Sequence, residues 1–424
     1  MSTYTRIRGR AGSWLHITWT AVDWNLKRLM LVSFIEVLSV CFYSSVLMPY
    51  YRSLGYGSQV AGVLTSVIQV VSAVVGVAAG FLADSLGRKR LFTTGQLLRC
   101  VAAGLLLVTR SYAGLVFVSV VRGFAVVQSP AQSAMLASYT RKENRGTLYG
   151  LIQTISMIAQ VAGPLIAGLV ADRFGVMMAF GSGLVLACVA VFAAVPLKDK
   201  RSAEQESLAP SQEAPVPAEV AGPARPEKPW ARVARMFREN RAVALSALLV
   251  TAIFNGLGNG AANILLPFTI MDRFSSAYTT VSSSQSVGAI GTMLVLLIGG
   301  RIADVYGRRT LVLASCSIFP FLMLGLFLVG SLWQLFAVII LITMVGNISS
   351  PAIGAVQMEA VGEKDRATFA GLYLGLNAAG MALGMVGGGI GYKVSPTYSW
   401  MAVIAVFALQ LPLYALAIPR SRAD

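Results

Sequence analysis

The sequence predicts an all-α membrane protein whose twelve spanning helices form two six-helix halves of related plan. Three observations carry this. Charged residues are only 12% of the 424 and hydrophobic residues 56%, against about 25% charged in an ordinary soluble chain. Apolar stretches of roughly 20 residues, each long enough to cross about 30 Å of hydrocarbon, recur along the whole length. Two distant segment pairs also repeat each other at nearly one offset. Backbone hydrogen bonds must close inside the bilayer, which leaves helices or barrels, and apolar runs this continuous are helical.

The spans fall at 28–50, 58–83, 91–109, 112–136, 146–170 and 176–197, then at 242–270, 278–302, 309–330, 331–357, 367–391 and 397–418. The plan is therefore an N-terminal bundle (1–197), a linker (198–240) and a C-terminal bundle (241–424). The linker is rich in Pro, Ala, Glu and Arg and lacks periodic apolar residues until Trp230, so it reads as disordered. Arg232, Arg235 and Phe237 then suggest a short helix along the membrane surface. Ahead of the first span, Trp14, Ile17, Ala21 and Trp24 share a helical face, which fits either a surface-lying helix or a mobile basic tail. Residues 1–27 hold no uninterrupted apolar core, so no cleavable signal peptide is expected.

A net charge of +16 would suggest nucleic acid if it were gathered on one soluble domain. Here it is spread through loops on alternate sides. Among the Lys and Arg residues, Arg52, Arg110, Arg173, Arg273 and Lys393 lie in one set of loops, and Arg99 and Arg122 lie within helices. All the others fall in the opposite set or the termini, which puts both termini in the cytoplasm. Cys41, Cys100, Cys188 and Cys316 sit singly in apolar runs and His16 is the lone histidine, so neither a metal nor a disulfide framework is expected. No GxxxxGK[ST] loop marks an ATP-driven pump. No cofactor and no enzymatic activity are expected.

The repeat is specific. GFLADSLGRKR at 80–90 recurs as GRIADVYGRRT at 300–310, and SPAQSAMLASYTRKENRGTLYGL at 129–151 recurs as SPAIGAVQMEAVGEKDRATFAGL at 350–372. Each pair falls at the same place in its six-span plan, so the repeat is structural. Two such halves form a transporter with a central site between them. The GxLADxxGRR/K pattern after the second and eighth spans resembles the signature loop of the major facilitator superfamily, and the likeness covers the whole chain. It implies the major facilitator fold and a conformational switch at Gly80, Asp84, Gly87, Arg88 and Lys89 and at Gly300, Asp304, Gly307, Arg308 and Arg309. In that switch the aspartates tie the loop to a helix of the other half, and the glycines allow close backbone approach. Ser85 and Val305 stand where the family often has a basic residue. In the fifth span Gly150, Gly163, Pro164 and Gly168 match the family's antiporter motif, where small residues serve helix packing and proline bends the helix.

Three ionisable groups lie well inside the membrane: Glu36, Arg99 and Arg122. Each costs roughly 2.5–3.5 kcal/mol at mid-helix and needs a partner or a wet cavity. The first and fourth spans line the cavity in the family, so the resemblance implies Glu36 and Arg122 as a proton-coupling pair. Arg99 is assigned to a structural salt bridge or a snorkelled position. Asn255, Asn259 and Asn263 are spaced by four in the seventh span and share one face. They read as a solute-binding stripe or as interhelical ties, with Gln153, Asn347 and Asn377 as further candidates. Gln69, Gln160 and Gln285 rank lower, and Phe42 and Tyr43 read as core.

The expectation is a monomeric secondary transporter in the lipid bilayer of the cell membrane, moving a small solute by alternating access. Proton-coupled export of a partly apolar compound leads. The alternatives are a uniporter or proton symporter for a polar or anionic metabolite, and a non-transporting sensor on the same fold.

Overall fold

A computed structural model describes residues 24–139, 145–197, 236–238, 242–362 and 365–418. The expected amphipathic face before Trp24 and the linker up to Arg235 lie outside the described residues. The first half comprises helices Trp24–Ser44 with Leu47–Ser53, Ser58–Leu86, Arg88–Val108, Tyr112–Phe124 with Gln128–Tyr139, Arg145–Phe174 and Val176–Ala194. The second comprises Ala242–Arg273, Tyr278–Tyr306, Arg308–Leu328, Leu332–Ile348 with Ser350–Glu359, Arg366–Val394 and Pro396–Ala408 with Gln410–Ala417. These are the twelve expected spans, several extended by a turn past the hydrocarbon length. Among the described residues, eleven are long and apolar enough to cross a membrane. The eighth opens with the polar run YTTVSSSQS, and the hydroxyls of Ser282, Ser283 and Ser284 bond back to carbonyls of their own helix.

Four spans are jointed, and each joint falls in the turn before a proline. Proline has no N–H and its ring crowds the carbonyl four residues earlier. The first span therefore breaks at Ser45–Val46 before Pro49, and the fourth narrows to a 3-10 turn at Ala125–Val127 before Pro130. The tenth breaks at Ser349 before Pro351 and the twelfth at Leu409 before Pro412. Pro130 and Pro351 are the Ser-Pro prolines of the sequence repeat, so the repeat reproduces a joint in both halves. Gly87 and Gly307, also repeat-mates, have φ of 88° and 78° and turn the chain between spans two and three and spans eight and nine. Side chains other than glycine rarely adopt that conformation.

The halves meet unevenly. A single buried cluster at the end away from the linker draws from both, with Tyr50, Leu64, Ala167 and Phe180 from the first half and Ile264, Val281, Met385 and Phe407 from the second. At the linker end each half has its own core. One gathers Leu29, Phe92, Met135 and Leu197; the other gathers Leu248, Val312, Phe369 and Tyr414. Among the described residues, the halves thus share one buried core at one end and keep separate cores at the other. The joints are the second span on the eleventh and the fifth on the eighth.

Within the second half, spans seven and eleven cross backbone to backbone. A Cβ at Gly384 would run into the Leu257 carbonyl, and one at Gly256 into the Asn377 carbonyl. In lipid such contact replaces the hydrophobic drive between helices. Gly384→Ala should therefore lower the melting temperature in detergent, by the equivalent of about 1–3 kcal/mol for overpacking. Gly375→Ala, where a Cβ meets nothing within 4 Å, should leave it unchanged or raised. Equal behaviour of the two variants would contradict the close crossing.

Candidate functional site

A cavity of about 930 Å³ lies between the halves. From the first half it takes the hinge of span one (Ser44, Leu47), Thr65 and Ile68 of span two, and Arg122 of span four. From the second it takes the asparagine face of span seven, Gln285 of span eight, Phe319, Asn347, Trp400 and Phe407.

The expected asparagine stripe is present and faces this space. Asn259 Nδ2 donates to the carbonyl and side-chain oxygens of Asn255 (2.9 and 3.1 Å), and Asn263 Nδ2 donates to the Asn259 carbonyl at 2.9 Å. Two of the three amides are thus satisfied along their own helix while still lining the cavity. Asn347 also lines it, bonded to the Thr343 carbonyl at 2.8 Å. Two candidates fall elsewhere. Asn377 turns into the helix crossing, donating to the Ala252 carbonyl (3.1 Å) and Asn255 Oδ1 (3.3 Å). Gln153 is exposed near the linker end of span five and does not line the cavity. Gln285, ranked lower in the sequence, takes its place.

The Glu36–Arg122 pair does not form. Glu36 is only 6% exposed, and its carboxylate is held by Arg99 at 2.6 Å, by Gln96 Nε2 at 2.8 Å and by Gln128 Nε2. The reason is rotational: spans three and four turn Arg99, Gln96 and Gln128 toward span one, and Arg122, six residues before Gln128 and so on a different face of span four, points into the cavity. There its guanidinium lies 5.0 Å from the centre of the Tyr43 ring. The structural salt bridge expected of Arg99 has Glu36 as its partner. All three donors to Glu36 belong to the first half.

The far end of the cavity is sealed by polar contacts that cross the halves. Arg52 and Asp272 form an ion pair at 2.6 Å across the halves, and from within the second half the Tyr392 hydroxyl donates to the same Asp272 at 2.7 Å. Asp172 accepts from the backbone N–H groups of Tyr278 (2.9 Å) and Thr279 (2.8 Å), capping the eighth helix from the fifth. An acid at a helix N-terminus meets unpaired N–H groups and the positive end of the dipole. Ser58 adds a bond to the Gly389 carbonyl at 2.8 Å, and the Leu165 N–H adds one to Ser286 at 3.1 Å. Sequence reading overlooked Asp172 and Asp272. The signal available was a DRF triplet ending both the fifth and seventh spans.

Of the antiporter-motif residues, Gly163 packs on Cys41 of span one and Gly168 on Thr279 and Ser282 of span eight, where an added Cβ would sit 2.7 Å from each helix. Pro164 lies within the unbroken helix Arg145–Phe174. Gly150 meets nothing within 4 Å and packs on no helix, because it lies near the open end of span five. In the signature loops, Gly87 and Gly307 make the turns. Arg88 reaches the Ala134 carbonyl at 3.4 Å and Arg308 pairs with Glu359, both within their own half. Lys89 and Arg309 sit in the first turns that follow, each half-buried. The side chains at Gly80, Asp84, Gly300 and Asp304 lie outside the described residues.

Two jointed six-span halves around a central cavity, sealed at one end, define a membrane transporter of small solutes. The family model for the Major Facilitator Superfamily matches residues 29–256 and 248–424, and the chain belongs to that superfamily. It is 27% identical over 203 residues to the multi-drug resistance efflux pump PmrA of Streptococcus pneumoniae, a match covering 46% of this chain and about half (51%) of that one. It is 24% identical over 374 residues to the multidrug resistance protein MdtH of Escherichia coli O157:H7, covering 84% and 85%. Solved structures share the fold: the nucleoside transporter NupG has a TM-score of 0.70 at 16% identity, covering 93% and 98%. The peptide transporter POT in complex with sulfate has 0.71 at 14%, covering 93% of each.

Glu36→Gln should destabilise the protein, since it leaves the half-buried Arg99 guanidinium without its counter-charge inside the bundle. Breaking such a pair costs about 3–5 kcal/mol. The double variant Glu36→Gln with Arg99→Gln should recover much of the lost melting temperature. A single variant that melts like the parent would remove the pair from the folding account.

Proposed function

We propose that the protein exports a partly apolar small solute across the cell membrane in exchange for protons, by alternating access of the central cavity. The observation that carries this is the one-ended seal: a cross-half core and polar latch at one end, and separate cores at the other. The loop charges favour a cytoplasmic linker and termini, and on that orientation the conformation is open inward and latched outward. Export is favoured by the relative named as an efflux pump, and a partly apolar solute by the aromatic wall of Phe319, Phe407 and Trp400.

For the proton, the latch is a better seat than Glu36. Protonating Glu36 would alter bonds only inside the first half, whereas protonating Asp272 removes the charge that holds Arg52 across the gate. Both latch side chains are about two-fifths exposed, at 40% and 39%, so protons from the outer solution reach them. A protonated Asp272 releases the gate, and the cavity opens outward to discharge its solute; the proton is given up to the cytoplasmic side when the cavity faces inward again and Asp272 re-pairs with Arg52. Glu36 then serves as the fixed counter-charge of Arg99. One proton crossing 100 mV supplies about 2.3 kcal/mol, somewhat more than tenfold accumulation.

Asp272→Asn tests this in proteoliposomes. The variant keeps the side-chain volume and the Tyr392 contact but cannot cycle between charged and neutral forms. It should abolish accumulation driven by an imposed pH gradient while retaining solute exchange without a gradient. Undiminished uphill transport by the variant would overturn the role of Asp272 and leave the proton to another group.

A further inference from the structure

We infer that the transported solute is an organic acid, an apolar or aromatic body carrying an anionic group, and that Arg122 is the residue that holds the anion. This rests on the transport reading above and adds the charge of the cargo to it.

The cavity has one sign of charge. Among its described lining residues Arg122 is charged, and Asp, Glu and Lys are missing from the lining. A guanidinium in a low-dielectric chamber needs a counter-charge, and the described acids are engaged elsewhere. The Glu36 carboxylate is taken by Arg99, Gln96 and Gln128, while Asp272 and Asp172 are tied into the outer seal. The Tyr43 ring beneath Arg122 gives partial compensation, since a ring face attracts a cation less than a carboxylate does. A cationic solute would meet this charge with no acid to receive it. An anionic one completes the pair and gains the forked geometry that makes guanidinium a selective carboxylate or phosphate receptor.

A second donor points the same way. Gln410 lines the cavity, is 4% exposed, and its Nε2 has no hydrogen-bond partner. A buried amide donor left open is costly unless an acceptor arrives. The remaining wall suits an apolar body. Phe319 and Phe407 stack edge to face with centroids 4.7 Å apart. The Trp400 N–H is already given to Thr269 at 2.9 Å, so that ring offers the solute mainly its apolar surface. Arg122 belongs to the first half, and Gln410, Phe319 and Phe407 belong to the second. An amphiphilic acid seated on both spans the two halves, which gives the solute a direct hold on their closure.

The test uses purified full-length protein and matched panels of small aromatic compounds, each body offered as its carboxylate, its neutral amide and its primary ammonium form. Thermal stabilisation and calorimetric affinity are measured at millimolar ligand for the parent, Arg122→Gln and Arg122→Lys. The carboxylates should stabilise the parent most. Arg122→Gln should weaken them roughly ten- to a hundredfold, the range of one charged hydrogen-bonding contact, and leave the amides unchanged. Arg122→Lys should recover part of the loss, which separates loss of an anion site from misfolding. A parent that shows no preference for the carboxylate panel, including one that binds none of it, overturns the inference, as does retained preference in Arg122→Gln. Counterflow of the same compounds in proteoliposomes keeps the two readings apart. Carboxylates bound but never carried would defeat transport and leave the anion site standing. Amides and ammonium compounds carried as well as carboxylates would defeat the anion site and leave transport standing.

Discussion

The structure depends on close backbone packing between small residues where the two halves cross. Lipid is as apolar as leucine, so helices in a membrane gain nothing by burying apolar surface against each other and must instead approach closely. An added Cβ at Gly389 would lie 2.5 Å from the Ser58 carbonyl oxygen, and one at Gly168 only 2.7 Å from Thr279 Cα. A Cβ at Gly62 would run into the Met385 carbonyl. These contacts bind span two to eleven and span five to eight over their outer portions. Toward the linker the same helices leave apolar side chains uncovered: Val74 on span two and Leu374 on span eleven are each 67% exposed. The cavity exists because the packing stops partway along.

On this frame the charged groups divide by what they connect. Glu36 and Arg99 hold three spans of one half together and travel with it as a unit. Arg52 and Asp272 connect the halves and would part for the outer end to open, while Tyr392 holds Asp272 from within the second half. Arg122 pairs with no acid among the described residues and lines the cavity, where the inference above seats an anionic solute. Mid-membrane charges are expensive, and here each is placed on a body, on a joint or in the cavity.

Much of this was legible in the sequence. The apolar runs gave the spans, and the Ser-Pro and GRR/K repeats marked joints and turns that recur in both halves. The spacing of Asn255, Asn259 and Asn263 was enough to put them on one face, because helical phase is a local property. Which helix faces which is not local. The pairing of Glu36 with Arg99 rather than Arg122 depends on how spans three and four are rotated about their axes, and neither sequence pattern nor family likeness carries that angle. Gln153 and Gln285 were exchanged in importance for the same reason. Asp172 and Asp272 were missed because each lies at a helix end beside an arginine (Arg173, Arg273). In one dimension such neighbours read as a neutral loop, and only the fold shows the acid reaching across to the other half while Arg273 caps the Leu326 and Val329 carbonyls, each at 2.7 Å.

The central claim is that the halves rock about this packing, so that opening one end closes the other. Spin-label distance measurements test it most directly, in a background without the four native cysteines. One label pair is placed at Ser53 and Lys393 across the outer end, the other at Val74 and Leu374 across the inner end. In lipid nanodiscs at neutral pH the account predicts a narrow, short outer distance and a longer inner one. On acidification, the outer distance should lengthen as the inner one shortens in the same fraction of molecules. Distances that stay fixed, or that lengthen together at both ends, would contradict it.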